Sequence, residues 1–247
     1  MGKKSNRTIL FQFFRFRKNN IANSNTMKNI FLIINCFLAV TVFAQHPPTT
    51  TKKFNDAEST AILKDLLQKL NSYTSISIDF AFQSEKNDKI IDDMQGSIKV
   101  KGTKYVLFTK TQQVFCNGVT VWNYLPEQKE VSVSDYSEDD DSQIVNPLNL
   151  VKNYAKHYKS IFIKEAINKG ITEQIIDITP LKASSLYKIR LTIDKNKKQI
   201  LRITIYEKDG TQYTYVVTKF QTNQALEDKK FEFDTTTHPD VEVVDMR

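Results

Sequence analysis

At 247 residues the chain is long enough for one large domain, and its net charge of +7 with a pI near 9.2 is typical of proteins that bind nucleic acid or membrane surfaces. The distribution of charge argues against that class. Seven of the 35 basic residues lie before residue 45, where there is no Asp or Glu, so the remaining 28 basic residues balance the 28 acidic ones. We therefore predict no nucleic-acid partner.

The N-terminal 44 residues have the pattern of a secretory signal peptide. A cationic stretch precedes the short apolar run Ile30–Phe43, which ends with small residues before a cleavage point near Ala44-Gln45. The run is too short to cross a membrane comfortably. Met27-Lys28 would itself make a conventional start, so residues 1–26 are either an upstream extension or a long cationic flank. We predict export, with residues 1–44 removed.

The two cysteines predict neither a lipid anchor nor a disulfide. Cys36 follows Asn35, whereas a small residue normally precedes the acylated cysteine of a lipoprotein, so lipidation is disfavoured. Loss of Cys36 with the signal peptide leaves Cys116 as the only thiol. Nothing near Cys116 in the sequence would lower its pKa, so we predict a small strand residue and not a nucleophile.

The exported chain is predicted to begin with a flexible leader, residues 45–54, which contains two prolines and three threonines. A single domain, residues 55–247, follows. Asn55 or Asp56 can cap its first helix, whose apolar residues recur at i, i+3 and i+4. These residues are Ile62, Leu63, Leu66, Leu67 and Leu70. We expect this apolar face to lie against a sheet.

The next part of the chain has the alternation and turn signals of an antiparallel meander. Three strands are predicted at residues 76–83, 94–100 and 104–110. Asn117-Gly118 then joins two runs of β-branched and aromatic residues, and this dipeptide favours the positive φ angles of a type I′ hairpin turn. A break at Leu125-Pro126 leads to a half-buried strand that contains Val131 and Val133.

An acidic run and a short helix interrupt the strands. The run from Asp135 to Asp141 lacks the spacing of an EF-hand calcium loop, so we predict a solvated loop. Asn146-Pro147 favours the first turn of a helix. The apolar positions of that helix are Leu148, Leu150, Val151 and Tyr154. The apolar side of a short helix at this position must pack against another part of the protein, and we expect it to cover the open concave face of the sheet.

The remaining sequence returns to strands. They are predicted at residues 160–165, 173–179, 186–194, 200–207 and 211–221, before a short apolar element at Phe231–Phe233 and a tail at Val241–Asp245. The predicted fold class is therefore mainly β, with about ten or eleven strands and two or three helices.

The order of these elements resembles the family of periplasmic outer-membrane lipoprotein carriers, LolA. The resemblance covers nearly all of the exported chain and rests on the opening helix and strand together with five further segments. These are the Gln95-Gly96 strand, the Asn117-Gly118 hairpin leading to Trp122–Pro126, the Asn146-Pro147 helix, Phe231–Phe233 and Val241–Asp245. It implies an incomplete, unclosed antiparallel β-barrel whose concave face is lidded by helices.

The resemblance also implies a function. Such a chaperone binds the acyl chains of lipoproteins in a hydrophobic cavity. It carries them through the periplasm from an inner-membrane ABC exporter to an outer-membrane acceptor, without ATP or another cofactor. Each acyl CH₂ hidden from water is worth about 0.8 kcal/mol, so an acylated protein cannot cross water unaided. We expect a monomer. The candidate cavity and lid residues are Phe80, Phe82, Ile98, Val100, Val106, Phe108, Trp122, Leu148, Leu150 and Val151.

One position departs from the family pattern. The resemblance implies an Arg-Pro pair in the turn after the second strand, with the arginine latching the lid by hydrogen bonds, but the matching positions here are Gly102 and Thr103. Lys101 or Lys104 is the candidate substitute, although lysine lacks the planar donor fork of arginine. The sequence therefore leaves the latch undetermined.

Two other classes of function are open to this sequence. An enzyme is disfavoured because His46, His157 and His238 are scattered and no catalytic or metal motif accompanies them. The alternative is a regulatory module of the same fold that senses lipid or lipoprotein. Such sensors commonly carry a further domain or an anchor, and this chain ends with its β-domain, which favours a carrier.

Overall fold

Residues 56–137 and 154–247 are described by the computed structural model, and in them twelve strands form one sheet. The strands are β1 (Ile76–Lys86), β2 (Lys89–Lys101), β3 (Lys104–Thr109), β4 (Gln113–Cys116), β5 (Thr120–Leu125), β6 (Glu130–Asp135), β7 (Tyr158–Asn168), β8 (Ile171–Pro180), β9 (Leu186–Asp194), β10 (Gln199–Glu207), β11 (Thr211–Thr222) and β12 (Glu242–Asp245). Their order across the sheet is β12-β6-β5-β4-β3-β2-β1-β11-β10-β9-β8-β7. The two edge strands are β12 and β7, so the sheet is not closed into a barrel, and the predicted fold class is confirmed.

The pairing is antiparallel except at one edge. β12 lies parallel to β6, with Glu242 opposite Glu130 and Asp245 opposite Val133. Parallel partners cannot be joined by a tight hairpin turn, and here β12 follows β11 in the chain, to which residues 223–241 connect it. The sheet is therefore dominated by antiparallel pairs, with one parallel pair at this edge.

Two hairpins are longer than predicted because their turns are only two residues long. Asn87 and Asp88 both have positive φ, at 51° and 59°, as a tight two-residue turn requires. Strand β1 therefore extends to Lys86, and β2 begins at Lys89, directly opposite it. Lys169 and Gly170 form the equivalent turn between β7 and β8. The polar composition of these hairpin ends is typical of a loop, which is why the sequence predicts shorter strands.

The Asn117-Gly118 hairpin is confirmed, but its predicted turn type is wrong. Among these two residues only Gly118 has positive φ, at 91°, whereas a type I′ turn needs positive φ at both central positions. The Asn117 side chain instead accepts hydrogen bonds from the backbone N–H of Val119 (3.0 Å) and Thr120 (2.9 Å). The turn is therefore set by an asparagine side chain.

Helix α1 (Ala57–Asn71) is capped by Asp56, one of the two cap residues that the sequence offered. The Asp56 carboxylate accepts a hydrogen bond from the backbone N–H of Ser59 at 2.6 Å, as an N-cap residue does. Leu63, Leu66 and Leu70 are buried, which confirms the apolar face. The further helical residues described are 154–157 and two 3₁₀ turns, Asp228–Phe231 and Thr235–Thr237. The predicted helix at Asn146-Pro147 and most of the acidic run lie outside the described residues.

The register of the strands assigns each residue to one of two faces, because directly opposed partners point to the same side of a sheet. One row of such partners runs through Ser160, Ile178, Ile189, Ile205, Tyr213 and Ser84. The Ser59 hydroxyl of α1 lies 2.8 Å from the Ser160 hydroxyl, so α1 packs on this side. We call it the helix-covered face.

On the opposite face of the sheet, strands β3–β6 are covered by residues 224–241, which we call the C-terminal segment. Leu226 and Phe231 pack on Val106 of β3, while Phe233 packs on Tyr124 and Val131 of β5 and β6. Burying these apolar side chains contributes roughly 1.5–3 kcal/mol for each one. The segment therefore serves as a second layer over β3–β6 before it enters β12.

Candidate functional site

The helix-covered face carries a band of aromatic and aliphatic side chains on its central strands. The Phe82 ring lies 4.9 Å from that of Tyr215 and 6.3 Å from that of Tyr213, and the Phe80 ring lies 5.6 Å from that of Tyr215. Burial raises the pKa of Tyr215 far above its usual range, so this phenol stays neutral. Such a surface can bind hydrocarbon but holds no charge that would fix a polar ligand.

Four of the predicted cavity residues lie together in this band. Phe80, Phe82, Ile98 and Val100 are all buried, and the register aligns them on one face, with Ile98 opposite Ile78 and Val100 opposite Ile76. They remain the candidates for contact with a hydrocarbon ligand.

Three other candidates lie on the opposite face. Val106 is opposite Lys99 and not Ile98, so Val106 and Phe108 face the C-terminal segment, where both belong to the cluster around Phe231. Trp122 is opposite Phe115 and packs with Phe233 and Tyr124. The prediction that all of them share one cavity with Phe80 is therefore corrected. Leu148, Leu150 and Val151 lie outside the described residues.

Sequence reasoning missed Leu107, Met94 and Val114 as members of the helix-covered face. Leu107 is opposite Ile98 and Val114, and Met94 is opposite Phe82. A signal for Leu107 was present, because a two-residue Gly102-Thr103 turn pairs Lys101 with Lys104. From that pair onward, Val100 is opposite Tyr105 and Ile98 is opposite Leu107, so Tyr105 and Leu107 lie on the face of Val100.

Gly96 provides the space that the Phe80 ring fills. A Cβ atom added at Gly96 would lie 2.5 Å from Phe80 Cζ and 2.9 Å from the backbone oxygen of Phe108. The ring can shift, but the carbonyl of a neighbouring strand cannot. An aromatic ring laid over a strand glycine is a known way of stabilising that position.

We expect Gly96→Ala to lower the free energy of unfolding by about 1–3 kcal/mol, the usual cost of overpacking a core. Chemical denaturation of the purified domain measures this change. The double variant Gly96→Ala, Phe80→Leu should lose less stability than the sum of the two single variants, because leucine at position 80 leaves room for the new methyl group of Ala at position 96. Additive costs would contradict the proposed contact.

The helix-covered face becomes polar toward the turns that follow β1 and β10. Ser84 is fully buried there, opposite Tyr213 on one side and Asp92 on the other. Burial, together with the negative charges of Glu207 and Asp209, raises the pKa of Tyr213 to about 12. The pKa of Glu207 is also raised, first by burial and then by repulsion from Asp209. The phenol of Tyr213 therefore stays neutral and can take part in hydrogen bonds at this end of the face.

Other side chains that carry chemistry have structural surroundings. Cys116 is buried, and burial raises the pKa of its thiol, as expected of a strand residue without a catalytic role. The His238 ring packs 4.8 Å from the Phe233 ring and 5.1 Å from that of Tyr124. Within residues 56–137 and 154–247, no group of three or more His, Cys, Asp and Glu is placed to hold a metal ion. The helices in these same ranges are all too short or too polar to span a membrane.

Comparison of the sequence with protein families gives one match, to the family described as "Outer membrane lipoprotein carrier protein LolA", over residues 71–234. This span begins at the end of α1 and ends between the two 3₁₀ turns, so it includes eleven of the twelve strands. The chain belongs to the LolA family.

Solved structures that resemble this chain include two bacterial proteins. An uncharacterized conserved protein from Thermus thermophilus aligns with a TM-score of 0.53 at 12% identity, and the alignment covers 76% of this chain and 99% of the Thermus chain. A LolA superfamily protein from Nitrosomonas europaea has a TM-score of 0.41 at 13% identity, with 71% and 98% covered. At these identities the first likeness shows the fold alone. No curated protein sequence matches this chain significantly.

The predicted substitutes for the LolA latch arginine are engaged elsewhere. Lys101 Nζ donates to the backbone oxygen of Leu226 and to Asp228, both at 2.9 Å, and Lys104 Nζ lies 2.8 Å from the other Asp228 oxygen. Hydrogen bonds from Lys104 and Lys101 lower the pKa of Asp228 to about 2. Both lysines therefore hold the C-terminal segment, on the face opposite to α1.

Proposed function

We propose that this protein is a periplasmic carrier that binds the acyl chains of lipoproteins on its helix-covered face and takes them from the inner to the outer membrane. The observation that supports this most directly is an open sheet of the LolA family whose central strands present buried aromatic and aliphatic side chains on the same face as α1. The proposal includes delivery of cargo by an inner-membrane ABC exporter and its release to an outer-membrane acceptor.

The energetics of such a carrier depend on exchange of apolar contacts. Each CH₂ of an acyl chain removed from water is worth about 0.8 kcal/mol. In the structure the same wall, Phe80, Phe82, Ile98 and Val100, is buried by the protein itself. Binding then replaces one set of apolar contacts with another, so the covering helices can move at low net cost. This lets a carrier hold its cargo and still release it.

The proposed role of each residue follows from the face of the sheet on which it lies. Phe80, Phe82, Ile98 and Val100, with Leu107 added, form the wall for the acyl chains. Leu148, Leu150 and Val151 are proposed to be the movable cover. The carrier acts as a monomer, uses no cofactor and has no enzymatic step. Residues 1–44 are removed on export, which leaves Gln45 as the first residue.

Purification of the exported protein from periplasm, followed by native and denaturing mass spectrometry, tests this function. We expect a polypeptide that starts at Gln45 and is accompanied by acylated peptides or intact lipoproteins. Free phospholipid or lipopolysaccharide as the sole companion would favour the lipid-sensing alternative. A protein that carries no lipid even after expression with a triacylated lipoprotein would contradict the carrier function.

A further inference from the structure

One buried hydroxyl on the helix-covered face is left without a hydrogen bond. Ser84 has 0% of its surface exposed, and its Oγ atom has no hydrogen-bond partner among the described residues. Burying a hydroxyl without a partner is unfavourable, and such groups are rare in folded proteins. The unmet donor therefore indicates that a ligand provides an acceptor at this position.

The surroundings of Ser84 change from apolar to polar within one step along the strand. Two residues before it on the same face, Phe82 is opposite Met94 and Tyr215, which are hydrocarbon-like surfaces. At the level of Ser84 itself the partners are Asp92 and Tyr213. A ligand that lies along β1 would meet hydrocarbon first and polar groups at its end. This is the chemistry of an acyl chain followed by its ester.

The charges near this end select the kind of acceptor. The negative charges of Glu207 and Asp209 help to raise the pKa of Tyr213, and Asp92 lies opposite Ser84 on the neighbouring strand β2. Lys86, which is next to this end on β1, is paired with Asp209 at 2.6 Å. An anionic head group would be repelled by this excess of negative charge, whereas a neutral carbonyl oxygen would not. The acceptor is therefore uncharged.

We propose that Ser84 donates a hydrogen bond to an ester carbonyl oxygen of the diacylglyceryl group of the cargo, with the acyl chain running from Ser84 along Phe82 and Phe80. This assignment rests on the proposed carrier function and deepens it, because it fixes the direction of the lipid in the protein. The glyceryl end lies at the turns after β1 and β10, and the methyl end lies toward Ile78.

The test compares two ligands on three proteins. One ligand is a synthetic peptide with an N-terminal diacylglyceryl cysteine, and the other is its dialkyl ether analogue, which has the same chains without carbonyl oxygens. The proteins are the wild type, Ser84→Ala and Ser77→Ala. Ser77 is a buried serine on the same strand but on the opposite face, where it bonds to the Gln224 side chain at 3.0 Å. Displacement of a fluorescent fatty acid gives the affinities.

We expect the wild type to bind the ester roughly five-fold to ten-fold more tightly than the ether, as one neutral hydrogen bond allows. Ser84→Ala should remove that preference while leaving the melting temperature unchanged or raised, because it deletes an unpartnered buried hydroxyl. Ser77→Ala should keep the preference and lower the melting temperature. If both ligands bind and Ser84→Ala keeps the ester preference, the role of Ser84 is overturned. If neither ligand binds the wild type, the carrier function itself is overturned, and this assignment with it.

Discussion

Leu107→Glu is expected to lower the affinity for an acylated peptide at least about ten-fold. Leu107 is half-buried on the helix-covered face, opposite Ile98 and Val114. Its partial exposure lets a glutamate remain hydrated in the empty protein. A bound acyl chain would remove that water from the carboxylate, which costs several kcal/mol, and each 1.4 kcal/mol is a factor of about ten. Fluorescent fatty-acid displacement measures the loss.

The neighbouring residue provides a matched control. Phe108 is also half-buried on β3 but faces the C-terminal segment, where it packs in the cluster of Val106 and Phe231. Phe108→Glu should therefore leave acyl binding within about two-fold of wild type, a change worth less than about 1 kcal/mol, while it weakens the packing of the segment. Equal losses of binding in the two variants would contradict the assignment of acyl chains to the helix-covered face.

Asp56→Ala is expected to lower the free energy of unfolding by about 3 kcal/mol. One carboxylate oxygen accepts from the backbone N–H of Ser59 and caps α1, and the other accepts from the backbone N–H of Phe162 at 2.7 Å on the edge strand β7. Losing a cap costs about 1 kcal/mol, and losing a hydrogen bond to a charged group costs about 1.5–3 kcal/mol. The melting temperature should fall by roughly 6–12 °C in a domain of this size.

Asp56→Asn separates the two contributions. Asparagine is an equally good N-cap, so the bond from Ser59 should survive. Its amide has one acceptor oxygen, so the bond from Phe162 should be lost. We expect roughly half of the destabilisation of Asp56→Ala. A melting temperature equal to that of wild type would show that Asp56 does not tie α1 to β7.

The local features of the fold could be predicted from the sequence because local residues determine them. A cap at Asn55 or Asp56 follows from their side-chain oxygens, and the buried Leu63, Leu66 and Leu70 follow from helical periodicity. The strand that contains Phe80 and Phe82 follows from strict alternation. These patterns require only neighbours in the chain.

The faces of separate strands could not be predicted in the same way. Alternation shows that Val106 and Phe108 share one face of β3, but which face is decided by the register with β2. A shift of one residue exchanges the two faces of a strand. On the face that carries Val106 and Phe108, the apolar residues of β3 are explained by the C-terminal segment that packs on them.

The sequence predicts a short apolar element at Phe231–Phe233, but it does not predict that this element covers the sheet. Phe231 and Phe233 are spaced by two residues, which is typical of a strand, yet Phe231 ends a 3₁₀ turn and both rings pack against β3–β6. Contacts between residues far apart in the chain decided this. The same is true of the ion pairs that hold Lys101 and Lys104 to Asp228.

Photo-crosslinking with a lipopeptide that carries a diazirine at the end of an acyl chain tests the location of the site most directly. After irradiation and digestion, mass spectrometry identifies the modified residues. We expect adducts on β1, β2 and β3 at residues of the helix-covered face, such as Phe80, Ile98 and Leu107. Adducts confined to Phe108, Trp122 or the C-terminal segment, or an absence of adducts with a ligand that binds, would contradict the account.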